Sequence, residues 1–71
     1  MTKKRQKISV ADEIMKVINE QPKLAEDIRK ELKDNFGRNI PLSDIRVNLL
    51  YLLRRQKIKR KKEDSVYKYY I

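Results

Sequence analysis

The chain has 71 residues, which predicts a single domain, and a chain this short buries only about 60% of the surface that its unfolded state exposes. It contains no cysteine and no histidine, which excludes disulfide bonds, thiolate or imidazole metal ligands, cysteine nucleophiles and the most common general base. With no catalytic constellation apparent among the other residues, we expect neither an enzymatic activity nor a cofactor. The formal net charge of +9 is concentrated in residues 3–7 and 54–62, and the rest of the chain is close to neutral.

Residues 1–8 form a predicted basic tail that carries Lys3, Lys4 and Arg5 and has no apolar pattern. We expect this tail to be disordered in isolation and to become ordered along a nucleic-acid backbone or minor groove on binding. The alternative is a tail that only increases solubility.

No apolar run in the chain approaches the roughly 18 residues that are needed to span a bilayer. Residues 1–7 are polar, and no apolar segment follows them. We therefore expect neither a signal peptide nor a membrane anchor, and a cytoplasmic location is the prediction.

Two amphipathic helices are predicted in the first half of the chain, separated by a proline. The first covers 10–20, with the Ser9 hydroxyl as its cap and Asp12 completing a capping box three residues later. The second covers 23–36, where apolar residues recur at helical spacing and charged residues fill the opposite side. Gly37, the only glycine, is expected to end it in the left-handed conformation.

A third helix is predicted over 44–56, with Ser43 as its cap. Its apolar face consists of Ile45, Leu49, Leu52 and Leu53. Val47, Leu50 and Tyr51 extend the apolar surface beyond one stripe, and a small monomer rarely leaves such a surface exposed without a use. Either the first helix covers these three residues, or they form a protein interface in a homodimer or on a larger assembly.

The C-terminal part is rich in β-branched and aromatic residues, and a polar turn divides it, which predicts a β-hairpin. The predicted first strand, turn and second strand are 58–62, 63–65 and 66–71. Alternation places Tyr67 and Tyr69 on one face, where we expect them to close the core. It places Tyr70 on the other face, where it is a candidate for stacking on unpaired bases.

Three helices followed by a hairpin make an α+β fold that is mainly α, formed by residues 9–71. The segment from the third helix onward resembles the recognition helix and wing of the winged-helix (winged helix-turn-helix) DNA-binding superfamily, in its small archaeal or prokaryotic type. The residues that carry the resemblance are Leu49-x-x-Leu52-x-x-x-Gln56-x-Ile58, the preceding Ile45, the hairpin end Val66-Tyr67-Lys68-Tyr69, and Leu24-Ala25-x-x-Ile28 in the second helix. That family usually has glycine at the position of Gln56.

The resemblance implies that the start of the third helix faces a DNA groove. Arg can pair with guanine through two hydrogen bonds and Asn with adenine, which makes Arg46 and Asn48 the candidates for contacting base edges. The alternative is that both are ordinary polar residues on a solvated helix face.

A basic segment spans the predicted end of the third helix and the first strand. Its members are Arg54, Arg55, Lys57, Lys59, Arg60, Lys61 and Lys62. Seven of the nine residues in 54–62 are basic and none is acidic, which predicts contacts to nucleic-acid phosphates. Each such contact contributes roughly −0.9 to the slope of log K against log salt. An acidic protein surface is the alternative partner.

Together these features predict a non-enzymatic protein that binds double-stranded DNA as a transcription regulator or architectural factor, without a membrane or small-molecule partner. The alternative is an accessory subunit of a replication, transcription or translation complex. Such a subunit would bind a partner protein with its winged helix and nucleic acid with its basic segment, and the surplus apolar residues of the third helix favour it.

Overall fold

The structure, a computed structural model, describes residues 9–71. Three helices precede a two-stranded antiparallel sheet, which confirms the predicted α+β, mainly helical fold class and gives a winged-helix-like layout. The elements are α1 (Val10–Val17), α2 (Ala25–Phe36), α3 (Leu42–Arg54), β1 (Lys59–Glu63) and β2 (Val66–Tyr70). The predicted contact residues Lys3, Lys4 and Arg5 lie outside the described residues.

Helix α1 begins where the sequence predicts and ends earlier. The hydroxyl oxygen of Ser9 accepts a hydrogen bond from the backbone N–H of Asp12 at 3.2 Å, as expected of a cap. The predicted end at residue 20 is wrong, because Ile18 is already extended. The carbonyl oxygen of Asn19 accepts a hydrogen bond from the N–H of Ile71 at 2.9 Å, so the end of the chain holds this segment out of the helix.

The connection between α1 and α2 lies along β2. Lys23 and Tyr69 exchange two backbone hydrogen bonds, one from the Lys23 N–H at 2.9 Å and one from the Tyr69 N–H at 2.7 Å. Because Lys23 is held in this bridge, α2 begins at Ala25 and not at residue 23. A carboxylate oxygen of Asp27 accepts a hydrogen bond from the N–H of Leu24 at 3.3 Å, at the start of the helix.

Gly37 ends α2 in the left-handed conformation, with φ of 65°, as predicted. Its N–H donates to the carbonyl oxygen of Lys33 at 3.0 Å. A Cβ atom at Gly37 would have no atom within 4 Å, so the backbone conformation alone favours glycine here.

Helix α3 begins at Leu42, two residues before the predicted start. The carbonyl oxygen of Pro41 accepts hydrogen bonds from the N–H groups of Asp44 at 3.0 Å and Ile45 at 3.1 Å. Ser43 therefore lies inside the first turn, and the prediction that it caps the helix is wrong.

The end of α3 turns sharply into the hairpin. Gln56 adopts φ of 59°, the left-handed conformation in which glycine is favoured. The N–H of Lys57 donates to the carbonyl oxygen of Leu52 at 3.0 Å, and that of Gln56 donates to Leu53 at 2.9 Å. These two bonds form a Schellman motif, so the chain reverses as at a glycine-terminated helix although the residue is glutamine.

The hairpin turn is tighter than predicted. Glu63 is paired with Val66 as the last residue of β1, so the turn consists of Asp64 and Ser65 alone. Both have positive φ, 49° and 69°, as in the two-residue turns whose twist suits a hairpin. The remaining pairs set Lys59 opposite Tyr70, Arg60 opposite Tyr69, Lys61 opposite Lys68 and Lys62 opposite Tyr67.

The core lies among the three helices, and Ile58 and Tyr69 attach the hairpin to it. The other buried apolar residues are Ala11, Ile14, Val17, Ile18, Ile28, Leu32, Ile40, Ile45, Leu49 and Leu52. Tyr69 is buried as predicted, but Tyr67 is 42% exposed, so its predicted core role is wrong. Tyr67 lies nearer the turn, beyond the Lys23 bridge that holds β2 against the helices. Within residues 9–71, no helix combines the length and apolar character of a membrane span.

Candidate nucleic-acid interface

The basic segment, residues 54–62, follows the end of α3 into the hairpin. Arg54 ends α3, Arg55 and Lys57 lie in the turn, and the remaining four basic residues occupy β1. All seven are exposed. Among the residues that the structure describes, Lys61 is the one member of this set whose side chain is paired with a carboxylate. The segment therefore presents a nearly uncompensated positive surface.

Strand pairing distributes these charges over both faces of the hairpin. Lys59 and Lys61 share one face with Lys68, which lies directly opposite Lys61. Arg60 and Lys62 share the other face with Tyr67 and Tyr69. Since both faces are basic, the hairpin can contact phosphates on more than one side. Lys68 belongs to this surface although the sequence prediction omitted it, because its place depends on the register.

Tyr67 is covered by cations on its own face. The guanidinium carbon of Arg60 lies 4.1 Å from the centroid of its ring, and the Lys62 ammonium lies 6.0 Å from it. Contacts of this kind are worth about 0.5–1 kcal/mol at exposed sites. They restrict the long basic side chains, so less conformational entropy is lost when these side chains bind a phosphate.

Glu63 neutralises part of the positive surface. Its carboxylate oxygens lie 3.2 Å from the ammonium of Lys68 and 3.3 Å from that of Lys61. Hydrogen bonds from Lys68, and then from Lys61, lower the pKa of the Glu63 carboxyl group from its usual value. The carboxylate is thus ionised at neutral pH and relieves the repulsion between two lysines that face each other across the strands.

An open groove of about 440 Å³ separates the hairpin from α3 and the start of α2. Arg46 and Arg60 line it from α3 and from β1. Its other lining residues are Leu24, Ala25, Glu26, Leu50, Ser65, Val66, Tyr67 and Tyr69. The groove brings Arg46 next to the basic segment, a proximity that the sequence did not reveal.

The two candidates for base contacts lie on opposite sides of α3. Side chains two residues apart on a helix point in directions about 160° apart. Arg46 and Asn48 therefore cannot both point straight into one DNA groove. Arg46 is exposed, whereas Asn48 is partly buried and its amide donates to the carbonyl oxygen of Asp44 at 2.8 Å. Their contact with bases stays a prediction.

The outward face of α3 is apolar. Val47, Leu50 and Tyr51 are 64%, 45% and 48% exposed, so the first helix does not cover them. The guanidinium carbon of Arg55 lies 5.3 Å from the centroid of the Tyr51 ring. We call these three apolar residues the α3 stripe.

Among residues 9–71, the acidic side chains form no cluster that could hold a metal ion. Comparisons with protein-family models, with curated proteins and with solved structures found no match to this chain.

Proposed function

We propose that the protein binds nucleic acid, with double-stranded DNA as the first candidate, and that the basic segment supplies the main contact. The observation that carries the proposal is the exposure of all seven basic side chains of residues 54–62, six of them without a carboxylate partner in the described part of the chain. A surface of this kind attracts a polyanion, because each neutralised phosphate releases a condensed counterion.

The hairpin favours this partner for a geometric reason. Strand β1 is exposed along its whole length and holds Lys59, Arg60, Lys61 and Lys62 on two faces of a short antiparallel ladder. Phosphates repeat along a nucleic-acid backbone, so a row of closely spaced cations can neutralise several of them together. The α3 stripe, in contrast, offers no charge to phosphates, so the proposal depends on the hairpin and not on insertion of α3 into a groove.

The test is a salt titration of binding to duplex DNA with two variants of equal charge. Lys59→Gln/Lys62→Gln removes two cations from β1, and Lys30→Gln/Lys33→Gln removes two from the exposed side of α2. We expect the hairpin variant to bind more weakly, with a slope of log K against log salt that is shallower by about 1.8 units. We expect the helix variant to keep the slope of the wild type.

Circular dichroism of all three proteins controls for folding. Equal slopes for the wild type and the hairpin variant would contradict the proposal, as would an equal loss of slope in both variants. Titrations with single-stranded DNA and with double-stranded RNA, run in parallel, identify which nucleic acid is bound most tightly.

A second candidate function is that of an accessory subunit in a replication, transcription or translation complex. The exposed α3 stripe is the observation that favours it, because it offers an apolar surface beside the basic segment. This candidate predicts that the protein by itself binds isolated duplex DNA only weakly.

A further inference from the structure

We infer that the α3 stripe pairs with the α3 stripe of a second copy of this chain, with the two helices antiparallel across a two-fold axis. The opposite side of α3 is already buried in the core through Ile45 and Leu49. Within residues 9–71 the stripe is therefore a second apolar face, which none of the described elements covers. This inference is independent of nucleic-acid binding and is tested without nucleic acid.

The charges at the two ends of the stripe indicate what covers it. Asp44 lies one turn before Val47 on the same side of the helix, and Arg54 lies one turn after Leu50. Both charged residues are exposed. Along its axis, the outward face of α3 therefore starts with a negative charge, continues with apolar side chains and ends with a positive charge, and two further arginines, Arg46 and Arg55, flank the stripe.

A second copy complements this pattern only in the antiparallel orientation. With the two-fold axis at the level of residue 49, Asp44 of one copy lies at the level of Arg54 of the other. Val47 then lies at the level of Tyr51 of the other copy. A parallel arrangement would place like charges side by side, and a partner of uniformly acidic or basic character would match only one end. The self-complementary surface is what an isologous interface requires.

The contact is small, so the dimer is expected to be weak. Three apolar side chains and two pairs of charges form an interface whose buried area is at the low end of the range for specific complexes. We therefore expect a Kd on the order of 10–100 μM. Sedimentation velocity of the full chain, at protein concentrations from about 1 μM to 500 μM, covers this range.

A charge swap tests the antiparallel register. We expect Asp44→Arg to raise the Kd about tenfold, because it places cations opposite each other, and Arg54→Asp to raise it by a similar factor. The double variant Asp44→Arg/Arg54→Asp exchanges the two ends and is expected to restore dimerisation. Asp34→Arg makes the same charge reversal on the exposed side of α2 and should leave the Kd unchanged.

Thermal unfolding by circular dichroism shows whether each variant is folded, because Asp44 also lies in the first turn of α3. If the swapped variants unfold, Leu50→Lys replaces an exposed residue in the middle of the stripe and is expected to be monomeric. A wild type that stays monomeric over the whole range overturns the inference. A double variant that dimerises no better than the single variants also overturns it.

Discussion

Gln56 occupies a backbone conformation that favours glycine, and this has a measurable cost. Its φ of 59° ends α3 and directs the chain into the basic segment. The left-handed region is less favourable by roughly 1–2 kcal/mol for a residue with a Cβ atom. Substitution by glycine recovers only part of this energy, because glycine also gives the unfolded chain more conformational freedom. We expect Gln56→Gly to raise the free energy of unfolding by about 0.5–1 kcal/mol, measured by urea denaturation.

The matched control lies one residue earlier. Arg55 has φ of −89°, which suits residues with a side chain, so Arg55→Gly is expected to lower the free energy of unfolding by a similar amount. If both glycine variants changed stability in the same direction, the strain at Gln56 would not be the cause.

At the scale of elements, Lys23 ties three parts of the fold together through its backbone and its side chain. Its backbone pairs with β2, and its ammonium donates to the carbonyl oxygen of Val17 at the end of α1, at 2.7 Å. The same ammonium lies 2.9 Å from the carboxylate of Glu31 on α2, and the Lys23 side chain is 14% exposed. These contacts join α1, α2 and β2 at one point beneath the hairpin.

Removing the Lys23 ammonium should therefore loosen the contact between α1 and α2. We expect Lys23→Met, which keeps most of the aliphatic stem, to lower the free energy of unfolding by about 1–2 kcal/mol, because the Val17 carbonyl and Glu31 lose a charged donor. Urea denaturation measures the change. Lys33→Met removes an exposed lysine from α2 and is expected to change stability by less than about 0.5 kcal/mol. A similar loss in both variants would refute the structural role of Lys23.

Features that depend on neighbouring residues in the chain can be predicted from the sequence. Ser9 and Gly37 act within one turn of their own helices, so their roles can be predicted from neighbouring residues. The Lys23 bridge and the hydrogen bond from Ile71 to Asn19 join residues far apart in the chain and have no periodic pattern. The first fixes the start of α2, and the second fixes the end of α1. The sequence therefore indicates the number and order of the elements more accurately than their ends.

The same distinction applies to the candidate interface. The basic segment is contiguous in the sequence, so its charge can be predicted from the sequence alone. The Lys23 bridge and the hairpin register are not evident from the sequence. The bridge holds Tyr69 against the helices and leaves Tyr67, nearer the turn, exposed. The register places Glu63 beside Lys61 and Lys68, which reduces the charge of the hairpin near its turn.

At the scale of the whole molecule, nucleic acid is assigned to the basic segment and a second copy of the chain to the α3 stripe, and the two surfaces meet at Arg54. The α3 stripe lies on the outward face of α3, and the basic segment continues from the end of that helix into β1. A nucleic acid held by the hairpin leaves Val47 uncovered. A helix inserted into a DNA groove, in contrast, would bury Val47 against the base edges.

A bulky label distinguishes these two modes of binding. The chain contains no cysteine, so a single introduced cysteine can be modified selectively with a maleimide that carries a polymer chain. With the label at Val47→Cys, we expect the affinity for duplex DNA to change by less than about threefold, since the hairpin stays accessible. With the label at Lys62→Cys, we expect a loss of at least about tenfold, because the label covers the basic face of β1 and removes a cation. Fluorescence anisotropy with a labelled duplex at fixed salt measures both. If the label at Val47 abolished binding while the label at Lys62 was tolerated, α3 would be the contacting element and the hairpin would serve only as its support.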